Sequence, residues 1–156
     1  MAETGSTLSE AMARAVLAYQ RGQFQEADRL AHTILAVKAD DFDALFLIAL
    51  ANAVQRRFDE ALLSFDRALA VRPDHAEALY NRGLTLQRLG RFEEALASYD
   101  RTVALRPDHA AAMNNRGNTL HELKRFEEAL TSYERALAVR PDYADALHNR
   151  GLTSRR

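Results

Sequence analysis

The chain has 156 residues, a formal net charge of −1 and no cysteine. Balanced charge argues against a polyanion or a membrane surface as partner, and the missing thiols exclude disulfides, thiolate metal sites and cysteine nucleophiles. The opening MAETGSTLSE lacks a basic stretch followed by an apolar one, and the longest apolar run, ALFLIALA at 44–51, is too short to span a bilayer, so a soluble cytoplasmic protein is expected.

In chain order, the first helix opens near Thr7 and Glu10, which have capping-box spacing, and Gly22 marks its end. Residues 38–71, KADDFDALFLIALANAVQRRFDEALLSFDRALAV, hold a second helix pair. In residues 72–105, Pro73 precedes another capping pair, Asp74 with Glu77, and Gly90 closes the first helix. The second helix of that segment runs from about Arg91 to Leu105, and Pro107 prevents its continuation. Residues 106–139 agree with 72–105 at 22 of 34 positions. Residues 4–37 keep chiefly GQFQEA and the apolar spacing, and residues 140–156 are a half copy. No stretch alternates with period two, so no strand is expected. A fixed period of 34 residues signals a stacked repeat architecture.

These residues resemble the tetratricopeptide repeat, a helix–turn–helix of this length with small residues at fixed positions and Pro at the exit. Gly83, Ala95, Tyr99 and Pro107 match it, as do Gly117, Ala129, Tyr133, Ala136 and Pro141. Ala49, Ala61, Phe65, Ala68 and Pro73 match as well, and Ala15, Ala27 and Ile34 more weakly. The family's Trp position holds Ala11, Leu45, Leu79, Met113 or Leu147 here, and Asn52 stands where a packed apolar side chain is usual. The resemblance implies an all-α, right-handed superhelical solenoid of antiparallel helix pairs. It would form one domain over 1–156, with repeats at 4–37, 38–71, 72–105 and 106–139 and a terminal half repeat at 140–156. It also implies a concave groove lined by the first helices, where partner peptides usually bind.

The first helices of 72–105 and 106–139 differ at Glu77/Ala111, Tyr80/Asn114, Leu84/Asn118, Gln87/His121 and Arg88/Glu122. These positions fall in one arc of about 100° on a helical wheel, while Leu79/Met113 is a packing-neutral swap. One face is therefore held by packing and the other varies. Along the chain the variable face is first apolar, with Met12, Val16, Tyr19, Phe46, Leu50, Tyr80 and Leu84, then polar, with Asn114, Asn118, His121 and His148. Contiguous exposed apolar surface marks an interface. Asn81, Asn115 and Asn149 recur at the edge of the arc, and amides can both donate to and accept from a peptide backbone. This row resembles the asparagine ladder of O-linked N-acetylglucosamine transferases, although Ala13 and Leu47 interrupt it in the earlier repeats. The basic clamp with which some members hold chaperone carboxylates has no counterpart here.

No catalytic, cofactor-binding or metal-ligating set emerges. Glu93–Glu94 and Glu127–Glu128 recur where acids favour the helix dipole, and His75 and His109 recur in turns beside an Asp at a helix start. No phosphate loop or Ser/His/Asp set stands out, and acids match the arginines, which argues against nucleic acid. The expected function is a non-catalytic scaffold whose partner is a protein or peptide, with no cofactor, nucleic acid or membrane. The alternatives are the repeat portion of a larger enzyme such as a glycosyltransferase, and a self-assembly module that forms homo-oligomers through the terminal half repeat.

Arg82, Arg116 and Arg150 lie on the packed side, where a buried Arg requires a partner. Sixteen residues earlier stand Asp66, Asp100 and Glu134; where Ile48 replaces the Arg, His32 replaces the acid. The joint loss predicts the ion pairs Asp66–Arg82, Asp100–Arg116 and Glu134–Arg150.

Overall fold

The computed structural model describes the backbone of residues 2–156 and the side chains of residues 7–156. Among the described residues there are nine α-helices and no strand: α1 (Ala2–Gln20), α2 (Phe24–Val37), α3 (Phe42–Val54), α4 (Phe58–Val71), α5 (Ala76–Arg88), α6 (Phe92–Leu105), α7 (Ala110–Glu122), α8 (Phe126–Val139) and α9 (Ala144–Thr153). They group into two units, residues 1–78 and 79–156, with the division inside α5. In each unit, helices consecutive in sequence pack on one another, and α1 also meets α3, as α7 meets α9.

Short turns set the hairpins. The residue that reverses the chain before each second helix lies in the left-handed region, which costs an L side chain about 1–2 kcal/mol. Gly22 (φ +74°) and Gly90 (φ +72°) fill it as expected, but Arg56 and Lys124 (both φ +62°) hold the same place without glycine. The second helices then start without a side-chain cap. Acids in the first turn offset the uncapped N–H groups. Arg91 and Arg125 each hold one such acid with two hydrogen bonds, to Glu94 and Glu128. These bonds keep both carboxyls below their usual range.

The first helices are capped more specifically. Oδ1 of Asp41 accepts from the Ala44 amide at 3.0 Å. Nδ1 of His75 and of His109 does the same for Ala78 and Ala112, at 3.1 Å each. The cap expected at Asp74 is thus made by His75, because α5 begins at Ala76 and Asp74 lies one residue too early. Thr7 and Glu10 sit inside α1, which starts at Ala2, and do not mark its beginning.

Small residues let the helices approach. Between α1, α2 and α3, the fully buried Ala15, Ala27, Ala31 and Ala44 surround Leu30, Ile34, Leu47 and Ile48. Ala49 and Ala61 flank Phe65. In the second unit Leu96, Leu120, Ala129 and Tyr133 form one cluster, and Val103, Ala112, Met113, Ala136 and Ala146 another. Burying each large side chain contributes about 1.5–3 kcal/mol. Tyr99 lies over Gly83 and Tyr133 over Gly117, filling the space that a Cβ would need.

One expected ion pair forms as stated. Nε of Arg116 donates to Oδ1 of Asp100 at 2.5 Å, and its Nη1 donates to Oγ of Ser132. Arg82 makes the matching bond to Ser98 at 2.7 Å. The serine sixteen residues ahead was not anticipated. Glu134 and Arg150 form no ion pair: Arg116 is held from both sides, by α6 and α8, whereas Arg150 is exposed on α9. Asp66 and Arg82 belong to different units, and their pairing stays an expectation.

Candidate interaction surface on the first helices

In the first unit the expected apolar residues are present but partly used by the core. Met12 and Tyr19 are half-buried against the α1–α2–α3 cluster, and Val16 is 37% exposed. The ring of Tyr19 meets Phe24 edge-on at 5.3 Å, and burial pushes its hydroxyl pKa up. On α3, Phe46 is half-buried among the rings of Phe42, Phe65 and His75, at 5.7, 6.1 and 5.4 Å. Leu50 and Ala53 lie beside it over the Ala49–Ala61–Phe65 cluster. Each of these side chains turns one flank to the core and the other to solvent.

In the second unit the face is a hydrogen-bonded network. Tyr80 packs between Tyr99 and His109, with ring centroids 6.1 and 4.7 Å away. Its hydroxyl accepts from Nδ2 of Asn115 at 3.1 Å. Burial pushes the Tyr80 hydroxyl pKa up, nearby Tyr143 adds to this, and the Asn115 bond opposes it. Asn114, expected on the solvent-facing arc, is buried, and its Oδ1 accepts from Nδ2 of Asn149 at 3.2 Å. Its side chain is shorter than that of Tyr80 at the same register, and α9 covers it. Asn115 and Asn149 therefore each use an amide hydrogen to brace a neighbouring first helix. Each keeps its Oδ1. Asn81 and Leu84 are half-buried. Imidazole Nδ1 of His121 lies 2.9 Å from Thr153 Oγ1, and the ring meets Phe126 edge-on. His148 is exposed and makes no hydrogen bond or ring contact among the described residues.

Between α5, α7 and α9 lies a pocket of about 360 Å³, lined by Gln87, Asn118, His121, Glu122, Tyr133, Asn149, Leu152 and Thr153. Tyr99 donates to Oε1 of Gln87 and Tyr133 to Oδ1 of Asn118, both at 2.9 Å. Sequence reasoning brought Asn118, His121 and Asn149 to this face but did not place Gln87, Tyr133 or Thr153 in the site. Gln87 was legible as a variable position. Thr153 was not, because Thr85, Thr119 and Thr153 all bond back to the carbonyl four residues earlier and repeat as packing residues do.

Among the described residues no helix is long and apolar enough to cross a membrane, and no three His, Asp or Glu side chains gather as metal ligands. A comparison with curated protein sequences finds no match. Solved structures share the fold. One is the crystal structure of MamA protein, with TM-score 0.92 and 20% identity over 97% of this chain and 82% of that one. Another is MamA from residue 41 to the end, from Desulfovibrio magneticus RS-1, with TM-score 0.91 and 22% identity over 96% and 84%. A third is YrrB, a TPR protein with an unusual peptide-binding site, with TM-score 0.85 and 22% identity over 94% and 76%. The family model for the tetratricopeptide repeat matches residues 40–108 and again 74–142. With the helix pairs, the Gly–Tyr packing and this match together, the chain belongs to the tetratricopeptide repeat family.

Proposed function

We propose that this chain is a non-catalytic, cytoplasmic interaction module that holds an extended or helical segment of a protein partner against its first helices. The observation that carries this reading is the unequal treatment of the two helix types. The first helices of 72–105 and 106–139 change polarity and charge along one arc (Tyr80/Asn114, Leu84/Asn118, Arg88/Glu122), while Asp100/Glu134, Val103/Leu137 and Leu105/Val139 on their second helices keep chemical character. In the first unit that face offers the half-buried Phe46 and Leu50, and aromatic anchors of this kind dominate peptide interfaces. Stacked repeats use such faces as working surfaces, and YrrB is described as having a peptide-binding site.

Two other uses rest on specific observations. The row Asn81, Asn115 and Asn149 is what a repeat portion of a larger enzyme, such as a glycosyltransferase, would present to a peptide. Self-association through 140–156 rests on Leu147 (42% exposed), where Leu79 and Met113 at the same register are buried.

Panning a phage-displayed peptide library against the protein, followed by fluorescence anisotropy with the selected peptides, tests the main reading. Phe46→Ala and the more exposed Val16→Glu should each weaken binding about tenfold, roughly 1.4 kcal/mol, with unchanged circular dichroism. Unaltered affinity in both variants would sink it.

A further inference from the structure

The polarity of the pocket between α5, α7 and α9 is set by two tyrosines, Tyr133 in its lining and Tyr99 bonded to the lining residue Gln87. Tyr99 and Tyr133 are 0% and 1% exposed, and each has one hydroxyl hydrogen that needs an acceptor. Gln87 and Asn118 supply those acceptors through their side-chain oxygens. Their NH2 groups are thereby left as the outward ends of both amides. On the other wall, Thr153 donates its single hydrogen to the carbonyl of Asn149 at 2.8 Å. Its oxygen also lies 2.9 Å from Nδ1 of His121. The Glu122 carboxylate and Oδ1 of Asn149 supply two acceptors to the lining. One wall donates and the other accepts.

We infer that this pocket is a subsite for a neutral carboxamide, the group that presents a carbonyl oxygen and an N–H side by side. The carbonyl accepts from Gln87 and Asn118, and the N–H donates to Glu122 or Asn149. The competing chemistries fit less well. A carboxylate would face Glu122, and no lysine or arginine is among the lining residues. An ammonium or guanidinium group would leave the NH2 groups of Gln87 and Asn118 without an acceptor, and unmet polar groups in a pocket penalise binding. The carboxamide can come from an Asn or Gln side chain or from a backbone peptide group. The inference rests on reading the first-helix face as a binding surface, and it names what one part of that face selects.

Titration of 15N-labelled protein with four small probes, read on the side-chain NH2 signals of Gln87 and Asn118, tests it directly. The probes are the N-acetyl methylamides of glutamine, glutamate, lysine and alanine. Where the side-chain amide is the source, the glutamine probe should bind at least fivefold more tightly than the glutamate, lysine and alanine probes; equal affinity for all four, which share the same backbone amides, identifies the backbone group. The double variant Gln87→Glu with Asn118→Asp keeps an acceptor for both tyrosines but removes both donors, and should weaken the glutamine probe about tenfold with the fold intact. No shift at Gln87 and Asn118, preference for glutamate or lysine, or an unaffected double variant overturns the assignment. These readouts need no partner protein. They separate failure of this subsite from failure of the peptide-binding reading, which is judged at Phe46 and Val16.

Discussion

The ring of Tyr133 rests on the backbone of Gly117, so closely that a Cβ on Gly117 would stand 2.5 Å from Cε1 of the tyrosine. The ring is buried and bonded to Asn118, so it has nowhere to go. Overpacking of this kind costs about 1–3 kcal/mol, which exceeds the gain of up to about 1 kcal/mol from replacing a helical glycine by alanine. Gly117→Ala should therefore destabilise by about 1–2 kcal/mol. Gly151 occupies the same register in α9, and a Cβ there would meet nothing within 4 Å. Gly151→Ala should stabilise by about 0.5–1 kcal/mol. Urea unfolding of the two variants should move in opposite directions; a shared sign would mean that the ring yields.

Asn52 is a second test of packing. It is 4% exposed, its Nδ2 donates to the carbonyl of Ile48, and its Oδ1 has no partner. The same register holds Leu86 and Leu120, both fully buried. A buried acceptor left unsatisfied costs about 1–3 kcal/mol. Asn52→Leu should raise stability by about 1–2 kcal/mol, seen as a higher urea midpoint with an unchanged slope. A lower midpoint would show that Leu does not fit at this position.

The repeat itself was fully legible in the sequence, because its period fixes which residues recur on the buried face. The Gly–Tyr and Ala–Phe positions that build the core were matched one by one. The turns were half legible. Glycine announced the left-handed residue at 22 and 90, but Arg56 and Lys124 adopt the same backbone because the flanking helices impose it. The site was legible as a face and not as a network. Helical spacing placed Asn114 and Asn115 side by side, and only the neighbouring first helices decide that α9 covers Asn114 while Asn115 reaches back to Tyr80 on α5. Likewise the charge covariation led to Asp100 for Arg116, while Ser132 carried no charge to reveal it.

That arginine separates two energies. The Arg116 side chain is 21% exposed and that of Asp100 is 49% exposed, so water screens the pair. Asp100→Asn should cost less than about 1 kcal/mol. Ser132 is 1% exposed, and Arg116 is the donor that meets its hydroxyl oxygen. Arg116→Met should cost more, about 1–3 kcal/mol, because it also strands that buried oxygen. A double-mutant cycle of Asp100 with Arg116 in urea unfolding checks the order. Equal losses from both single variants would place the energy in the ion pair and not in the serine.

Alkaline pH should unfold the second unit through its buried tyrosines. Burial pushes the Tyr133 hydroxyl up to about 12, and raises Tyr99 as well. An unfolded tyrosine ionises near pH 10. Below that pH both states keep the proton, and the full stability is present. Between about pH 10 and the folded value of about 12, the unfolded chain loses the Tyr133 proton and the native chain holds it. The native state then binds more protons, so stability falls as pH rises, by about 1.4 kcal/mol per pH unit for each such tyrosine. Urea unfolding below and within that window should show the decline, and phenolate absorbance should rise together with unfolding instead of ahead of it. Tyr133→Phe should shallow the slope, since Phe cannot ionise, while lowering stability at neutral pH because Asn118 loses its donor. A slope that Tyr133→Phe leaves untouched would assign the alkaline transition to other groups.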